Sequence, residues 1–201
     1  PAGLDRLLGE IFEKSPVRIS LKTRLGMEDA SEFMALMNIY NKYPAEELII
    51  HPRVQKDFYK NTPDLQAFAR AADISRIPVC YNGDIFSVED YERFTERFPG
   101  TDRVMTGRGV LKDPSLARKL RGGRGADKEE LRRFHDILYA GYCEEMSGDR
   151  TILYKMKELW TYLAPLFSDS KKYAKKIKKA EKCIVYEQII EDFFAETEVQ
   201  P

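Results

Sequence analysis

The chain has 201 residues, 43% of them apolar, and its 33 lysines and arginines balance 33 aspartates and glutamates. That length can bury the core of one large or two small domains. The zero formal charge excludes a protein that coats nucleic acid by bulk electrostatics, but not one with a local basic patch. Cys80, Cys143 and Cys183 are odd in number, widely spaced and without a CxxC pair. This argues against a disulfide framework or a zinc site and for a reduced, cytoplasmic compartment. No apolar run approaches the roughly 18 residues that span a bilayer, and the N-terminus has no signal-peptide pattern. The first residue is Pro1 rather than Met, so the sequence is expected to be a piece of a longer chain.

In chain order, strands are expected at 17–21, 47–50, 77–81 and 103–106, at the spacing of βα units. Between them, residues 29–40 place Phe33, Leu36, Met37 and Tyr40 on one helical face. Thr62 is the expected N-cap of a second helix, with Pro63 at its first position. Ser87 opens a third, with Asp90 three residues on. Four βα units in series predict a parallel sheet with right-handed crossovers. After Leu120 the composition changes. Residues 121–127 read as a flexible, basic, glycine-rich linker. Helices follow at 128–146, 151–163, 168–178 and 182–194, and their short loops predict an antiparallel bundle. The expected domains are therefore 1–120, α/β, and 128–201, all helical.

Charge is uneven in the helical part. Ten lysines and arginines face three acids between residues 150 and 183, and five acids without a base follow from 184 on. Lys171, Lys172, Lys175, Lys176, Lys178 and Lys179 crowd one helical stretch. Positions 171, 175 and 178 share a face, as do 172, 176 and 179. Such a run is either a solvated face or a double row that follows a phosphate backbone.

Four polar clusters fall at the expected strand ends: Lys22-Thr23-Arg24-Leu25-Gly26, His51-Pro52-Arg53, Asn82-Gly83-Asp84-Ile85 and Gly107-Arg108-Gly109. In a parallel βα array, ligands bind at the C-terminal ends of the strands. Each cluster also has a plain reading: a lysine reaching water, a loop histidine, a turn dipeptide, a weak Gly-x-Gly. The last two together match the way barrel enzymes cradle phosphate, with glycine admitting backbone N–H groups and arginine adding a charged fork.

In this order and spacing, K-T-R-L-G, H-x-R, N-G-D-I and M-T-G-R-G resemble the second half of a tRNA-dihydrouridine synthase. The helices that follow, with Tyr154-Lys155-Met156-Lys157-Glu158-Leu159-Trp160, resemble that family's RNA-binding domain. The resemblance implies the second half of an FMN-binding TIM (β/α)8 barrel followed by a helical tRNA-binding domain. It also implies an oxidoreductase that takes hydride from NADPH through FMN to reduce uridine in tRNA to dihydrouridine. By motif, Lys22 would contact the flavin ring, His51 the isoalloxazine, and Arg53 substrate or its phosphate. Asn82, Gly83, Asp84, Gly107 and Arg108 would hold the ribityl phosphate. Pro52 replaces the glycine or small residue often seen in the family.

The same resemblance places the proton-donating cysteine upstream of Pro1, so no catalytic residue is assigned within the chain and the piece alone is expected to be inactive. Cys80 reads as strand core, and Cys143 and Cys183 as helix residues. A half barrel would leave sheet edges open to self-association. Two other readings stand beside this one: another FMN barrel acting on a small molecule, and a tRNA-binding module without catalysis.

Overall fold

A computed structural model describes residues 2–200, which fall into two compact units. The first comprises the chain up to Ile85 together with Glu89–Thr106, and the second comprises Phe86–Val88 and the chain from Gly107 on.

The first unit opens with helix α1 (Ala2–Lys14), followed by β1 (Ser20–Arg24), α2 (Glu32–Tyr40), β2 (Glu47–His51), α3 (Leu65–Ile74), β3 (Val79–Tyr81), α4 (Val88–Arg97) and β4 (Arg103–Val104). The strands pair in parallel in the order β1-β2-β3-β4. The register gives the sheet two unlike faces, because side chains alternate along a strand and agree between neighbours. Leu21, Leu48, Ile50, Val79, Tyr81 and Val104 belong to the core, with Phe33, Met37, Phe68 and Phe94 from the helices. Phe94 stacks on Tyr81 at 4.0 Å, and Phe68 meets the same ring edge-on at 5.0 Å. Lys22, Arg24, Ile49, His51, Cys80 and Arg103 occupy the alternate positions, on the other face.

The parallel sheet agrees with the sequence reading, but some boundaries do not. The first strand lies at Ser20–Arg24 rather than 17–21, and Val17 is 70% exposed. Lys22, Thr23 and Arg24 therefore lie within the strand, with only Leu25 and Gly26 beyond it. The N-cap of α3 lies two residues after the expected Thr62, at Asp64, whose side chain accepts hydrogen bonds from the N–H groups of Gln66 and Ala67. An aspartate that caps two orphan donors outweighs the Thr-Pro signal. Helix α1 has no counterpart in the sequence reading.

The second unit is helical: α5 (Arg108–Lys112), α6 (Leu116–Lys119), α7 (Lys128–Glu145), α8 (Asp149–Leu163), a 3-10 turn (Ala164–Leu166), α9 (Ser170–Lys179) and α10 (Cys183–Glu196). The last four helices fall within a few residues of the predicted spans. Their core holds Trp160, Phe167, Tyr173, Tyr186 and Phe193. A polar thread runs through it: the Trp160 indole N–H donates to Tyr186 Oη (2.8 Å), which lies 2.6 Å from His135 Nε2, while His135 Nδ1 meets Asp136 at 2.8 Å.

The stretch expected to be a flexible linker is pinned instead. Arg118 donates to the carbonyls of Arg124 (2.8 Å) and Gly125 (3.1 Å) and forks onto Glu130 (2.9 and 3.0 Å). Glu130 also closes a capping box with Asp127 at the start of α7. Glycine gives that segment its path, and one arginine fixes it. Among the described residues no helix is long and apolar enough to cross a membrane, and no three potential metal ligands cluster.

Candidate active site and basic face

The first unit gathers its chemistry where β1, β2 and β3 end. His51, the last residue of β2, pairs in register with Arg24, and Lys22 pairs with Ile49 one step back on the same face. After His51 the chain makes a three-residue turn in which the Arg53 N–H donates to the His51 carbonyl at 2.8 Å. Pro52 sits at its centre, and the fixed φ of proline suits an inverse γ-turn. The turn brings the side chains of residues 51 and 53 side by side. Arg53 Nη1 lies 3.1 Å from His51 Nε2.

Arg53 is 2% exposed and spends its donors inside the protein. Nη1 and Nη2 fork onto the Asp84 carboxylate at 2.9 and 2.5 Å, and Nε donates to the Asn61 carbonyl. Asp84 itself stands at the apex of a second tight turn, closed by Ile85 N–H to Gly83 O at 3.0 Å. This bidentate pair ties the end of β2 to the end of β3. The sequence reading assigns Arg53 to the substrate and Asp84 to a phosphate. In the structure each is the other's partner, and a carboxylate so placed would repel a phosphate unless that arginine neutralised it.

The remaining candidates have distinct surroundings. Asn82 donates through Nδ2 to the Met105 carbonyl at 2.8 Å, and its N–H donates to Ile50 O, stapling three strand ends together. A Cβ on Gly83 would fall 1.8 Å from Tyr81 Oη, so glycine is required there by the tyrosine. Gly26, at φ 153°, is required because a Cβ would meet the Asp29 carbonyl at 2.7 Å. In the second unit, a Cβ on Gly107 would meet nothing within 4 Å. Arg108 follows it, its guanidinium 5.2 Å from the centre of the Phe86 ring.

Arg24, which the sequence reading places in the first cluster without a role, and Tyr59, which it does not name, join His51. Arg24 donates to the carbonyls of Val54 and Phe58 (3.0 and 3.2 Å), and it lies over the Tyr59 ring, which stacks on His51 at 6.0 Å. Alternation along β1 is the available signal: it puts Arg24 on the same side as Lys22. Phe58, at φ 50°, holds the loop in a strained shape that Arg24 fastens.

The electrostatics are lopsided. Burial, then Arg24, Arg53 and Lys22, lower the His51 pKa to about 4, so the ring is neutral at pH 7. Burial and Arg24 also lower Lys22. Cys80 is 4% exposed and burial pushes its thiol up to about 11, leaving it un-ionised and inert as a nucleophile. His51 has a pH consequence. Between about 6.5 and about 4 the unfolded chain binds a proton that the folded chain refuses, so stability falls as pH drops through that window. We expect a loss on the order of 2 kcal/mol attributable to His51. Urea midpoints at pH 7 and pH 4.5 would read it, and His51→Gln should remove that share of the pH dependence. Equal slopes in both proteins would contradict it.

The second unit carries the lysines. On α9, Tyr173 and Ile177 are buried, while Lys171, Lys172, Lys175, Lys176, Lys178 and Lys179 are all exposed. The two rows differ. Lys172 pairs with Glu196 at 2.7 Å, and Lys172 and Lys176 both lie over the Tyr173 ring. Lys171 and Lys178 instead line a cavity of about 760 Å³ with Tyr154, Lys157 and Thr161 of α8. A second cavity of about 710 Å³ shares Tyr154 and Lys157 and adds Arg150 and Lys182. Tyr154, 68% exposed, opens the motif that runs to Trp160 but is not among the expected site residues.

The sequence matches the dihydrouridine synthase (Dus) family over residues 1–199. The chain belongs to the dihydrouridine synthase family. Similar proteins include tRNA-dihydrouridine(16) synthase of Ralstonia nicotianae, 35% identical over 124 residues, which are 61% of this chain and 38% of that protein. The enzyme of the same title from Cupriavidus necator is 29% identical over 181 residues, 83% of this chain and 55% of its own. That of Pseudomonas putida is 26% identical over 140 residues, 69% and 43% respectively. The chain thus spans about half or less of the length of these dihydrouridine synthases.

Proposed function

We propose that this chain carries flavin-facing and tRNA-facing residues of a cytoplasmic, FMN-dependent tRNA-dihydrouridine synthase that uses NADPH as reductant. In this reading the α/β unit is the second half of a (β/α)8 barrel, and the helices from Lys128 on form the tRNA-binding domain. Open sheet edges are the surface through which it would self-associate or meet another segment. The observation that carries the reading is the grouping of Lys22, Arg24 and His51 on one sheet face at the C-terminal ends of β1 and β2, where parallel βα enzymes bind their ligands.

The residues fit the cofactor. Among the described residues His51 bonds through Nε2 and leaves Nδ1 at the accessible edge of the ring, and Lys22 is a partly shielded cation whose charge reaches it, in the field of Arg24. Gly107 offers an open backbone. When bound, FMN would supply hydride transfer between nicotinamide and pyrimidine. Lys22 would hold negative charge at the flavin ring, and His51 would fix the ring's orientation. Asn82 and Gly83 would set the loop that meets the ribityl phosphate, Gly107 would admit it by backbone N–H, and Arg108 would pair with it. Asp84 would act through Arg53 rather than on the phosphate. The lysine rows of α9 would bind the tRNA backbone.

In the intact enzyme, Lys22→Ala and Arg108→Ala should each weaken flavin retention by about ten- to a hundredfold, the worth of one charged hydrogen bond. Flavin fluorescence during titration would read it. Unchanged FMN affinity in both variants would overturn these assignments.

A further inference from the structure

Arg53 is the best-anchored charge in the first unit, and it points at a titratable ring. A guanidinium stays protonated in proteins and has donors only. The atom 3.1 Å from Nη1, His51 Nε2, must therefore be an acceptor. An acceptor at Nε2 leaves the imidazole proton on Nδ1, because a neutral ring has one of each. The guanidinium cannot turn away: Asp84 holds Nη1 and Nη2, and the Asn61 carbonyl holds Nε.

We propose that Arg53, wired to Asp84, is a positioning residue that locks His51 in its neutral Nδ1–H form, so that the ring offers one donor to a carbonyl oxygen or ring nitrogen of the bound ligand. The ligand clause rests on the flavin reading above; the tautomer does not. The groups around the ring agree with it. Arg24, Arg53 and Lys22 oppose a second proton, and Asp84 alone favours one while already engaged by Arg53. Tyr59 covers the ring by stacking. His51 is 5% exposed and makes its side-chain hydrogen bond among the described residues through Nε2. No buried side-chain nitrogen among them lacks a partner, so Nδ1 lies at the accessible edge of the ring, where a ligand can take its N–H in place of water. A ring so fixed rejects a ligand that presents a donor at that point, and it orients its partner without passing a proton. Arg53 thereby serves ligand recognition from a position at which it touches no ligand.

The test is the ring-nitrogen spectrum of the ¹⁵N-labelled 201-residue chain near neutral pH. The chain has two histidines, and His51→Gln assigns the pair. The expected wild-type spectrum shows a protonated Nδ1 and an unprotonated Nε2 for His51. Arg53→Met should change the tautomer ratio about ten- to a hundredfold toward Nε2–H, the equivalent of one charged hydrogen bond. Asp84→Asn, which leaves Arg53 present but loosely held, should change it in the same direction by less, and serves if Arg53→Met does not fold. An Nε2–H ring in the wild type would overturn the proposal, as would a ratio unmoved in the folded variants. Adding FMN separates the two claims. A downfield shift of the Nδ1 proton on binding supports the ligand clause, and binding without any change at Nδ1 refutes it. No FMN binding by the intact enzyme, titrated separately, would sink the function reading and leave the tautomer to the free-chain spectra.

Discussion

On the proposed tRNA-binding reading, replacing Lys171, Lys175 and Lys178 together by glutamine is expected to weaken tRNA binding by the intact enzyme on the order of a thousandfold at low salt, or about tenfold for each lysine–phosphate pair removed. These three form one row of α9, spaced so that their side chains share a face. Lys172 and Lys176 are partly engaged by Glu196 and by the Tyr173 ring. By contrast, the 171/175/178 row has no ion pair among the described residues, and two of its members border a cavity lined also by Lys157 and Tyr154. Counterion release then predicts a second signature. The slope of log affinity against log salt should flatten by about 2 to 3 units, at roughly 0.7–0.9 for each phosphate no longer neutralised. The variant should be no less stable than the wild type, because like charges three and four residues apart repel. Affinity across a salt series, with an unfolding curve for each protein, decides the matter. Identical slopes would mean that the row is merely solvated.

Phe193→Ala is expected to destabilise the second unit by about 3–5 kcal/mol, the range for emptying a buried aromatic site. Phe193 is fully buried and touches four rings: Trp160 at 4.5 Å, Phe167 at 4.8 Å, Phe194 at 5.3 Å and Tyr173 at 5.5 Å, all near edge-to-face. Through these rings it joins α8, α9 and α10, and no single neighbour can move to fill the space without abandoning another. If α9 carries the proposed tRNA face, the same change should also blunt tRNA binding, because Tyr173 anchors the helix that presents the lysines. Denaturant unfolding gives the stability loss. Ile184→Ser on the same helix, at a residue 73% exposed, should lie near zero. A loss below about 1 kcal/mol for Phe193→Ala would show that the cluster is not the unit's core.

The legible parts of this chain are those with strong periodicity. Helices α7 to α10 carry apolar stripes that burial alone can read, and the βα spacing announces a parallel sheet. The edge strand is displaced from its expected place because its sequence, Ser-Leu-Lys-Thr-Arg, has one polar face, whereas the branched run before it looks more like a strand. The shift matters, because Lys22 and Arg24 flank His51 as strand residues and not as loop residues. The Arg53–Asp84 pair is invisible to sequence reading. The two residues are 31 positions apart, and only the register of β2 against β3 brings them together. Types and spacing mark both as chemically important, but which group answers which is a property of the folded sheet.

The two glycines that border the proposed phosphate loops answer to different selections. At position 83 the space for a side chain is already filled by the Tyr81 phenol, so intolerance to substitution reports on the protein itself. At position 107 that space is open on every side and φ is −112°, a value that any residue adopts. The fold therefore exerts almost no pressure there. In a deep mutational scan, depletion at 83 would measure folding, whereas depletion at 107 would be the footprint of a molecule that the protein must let in.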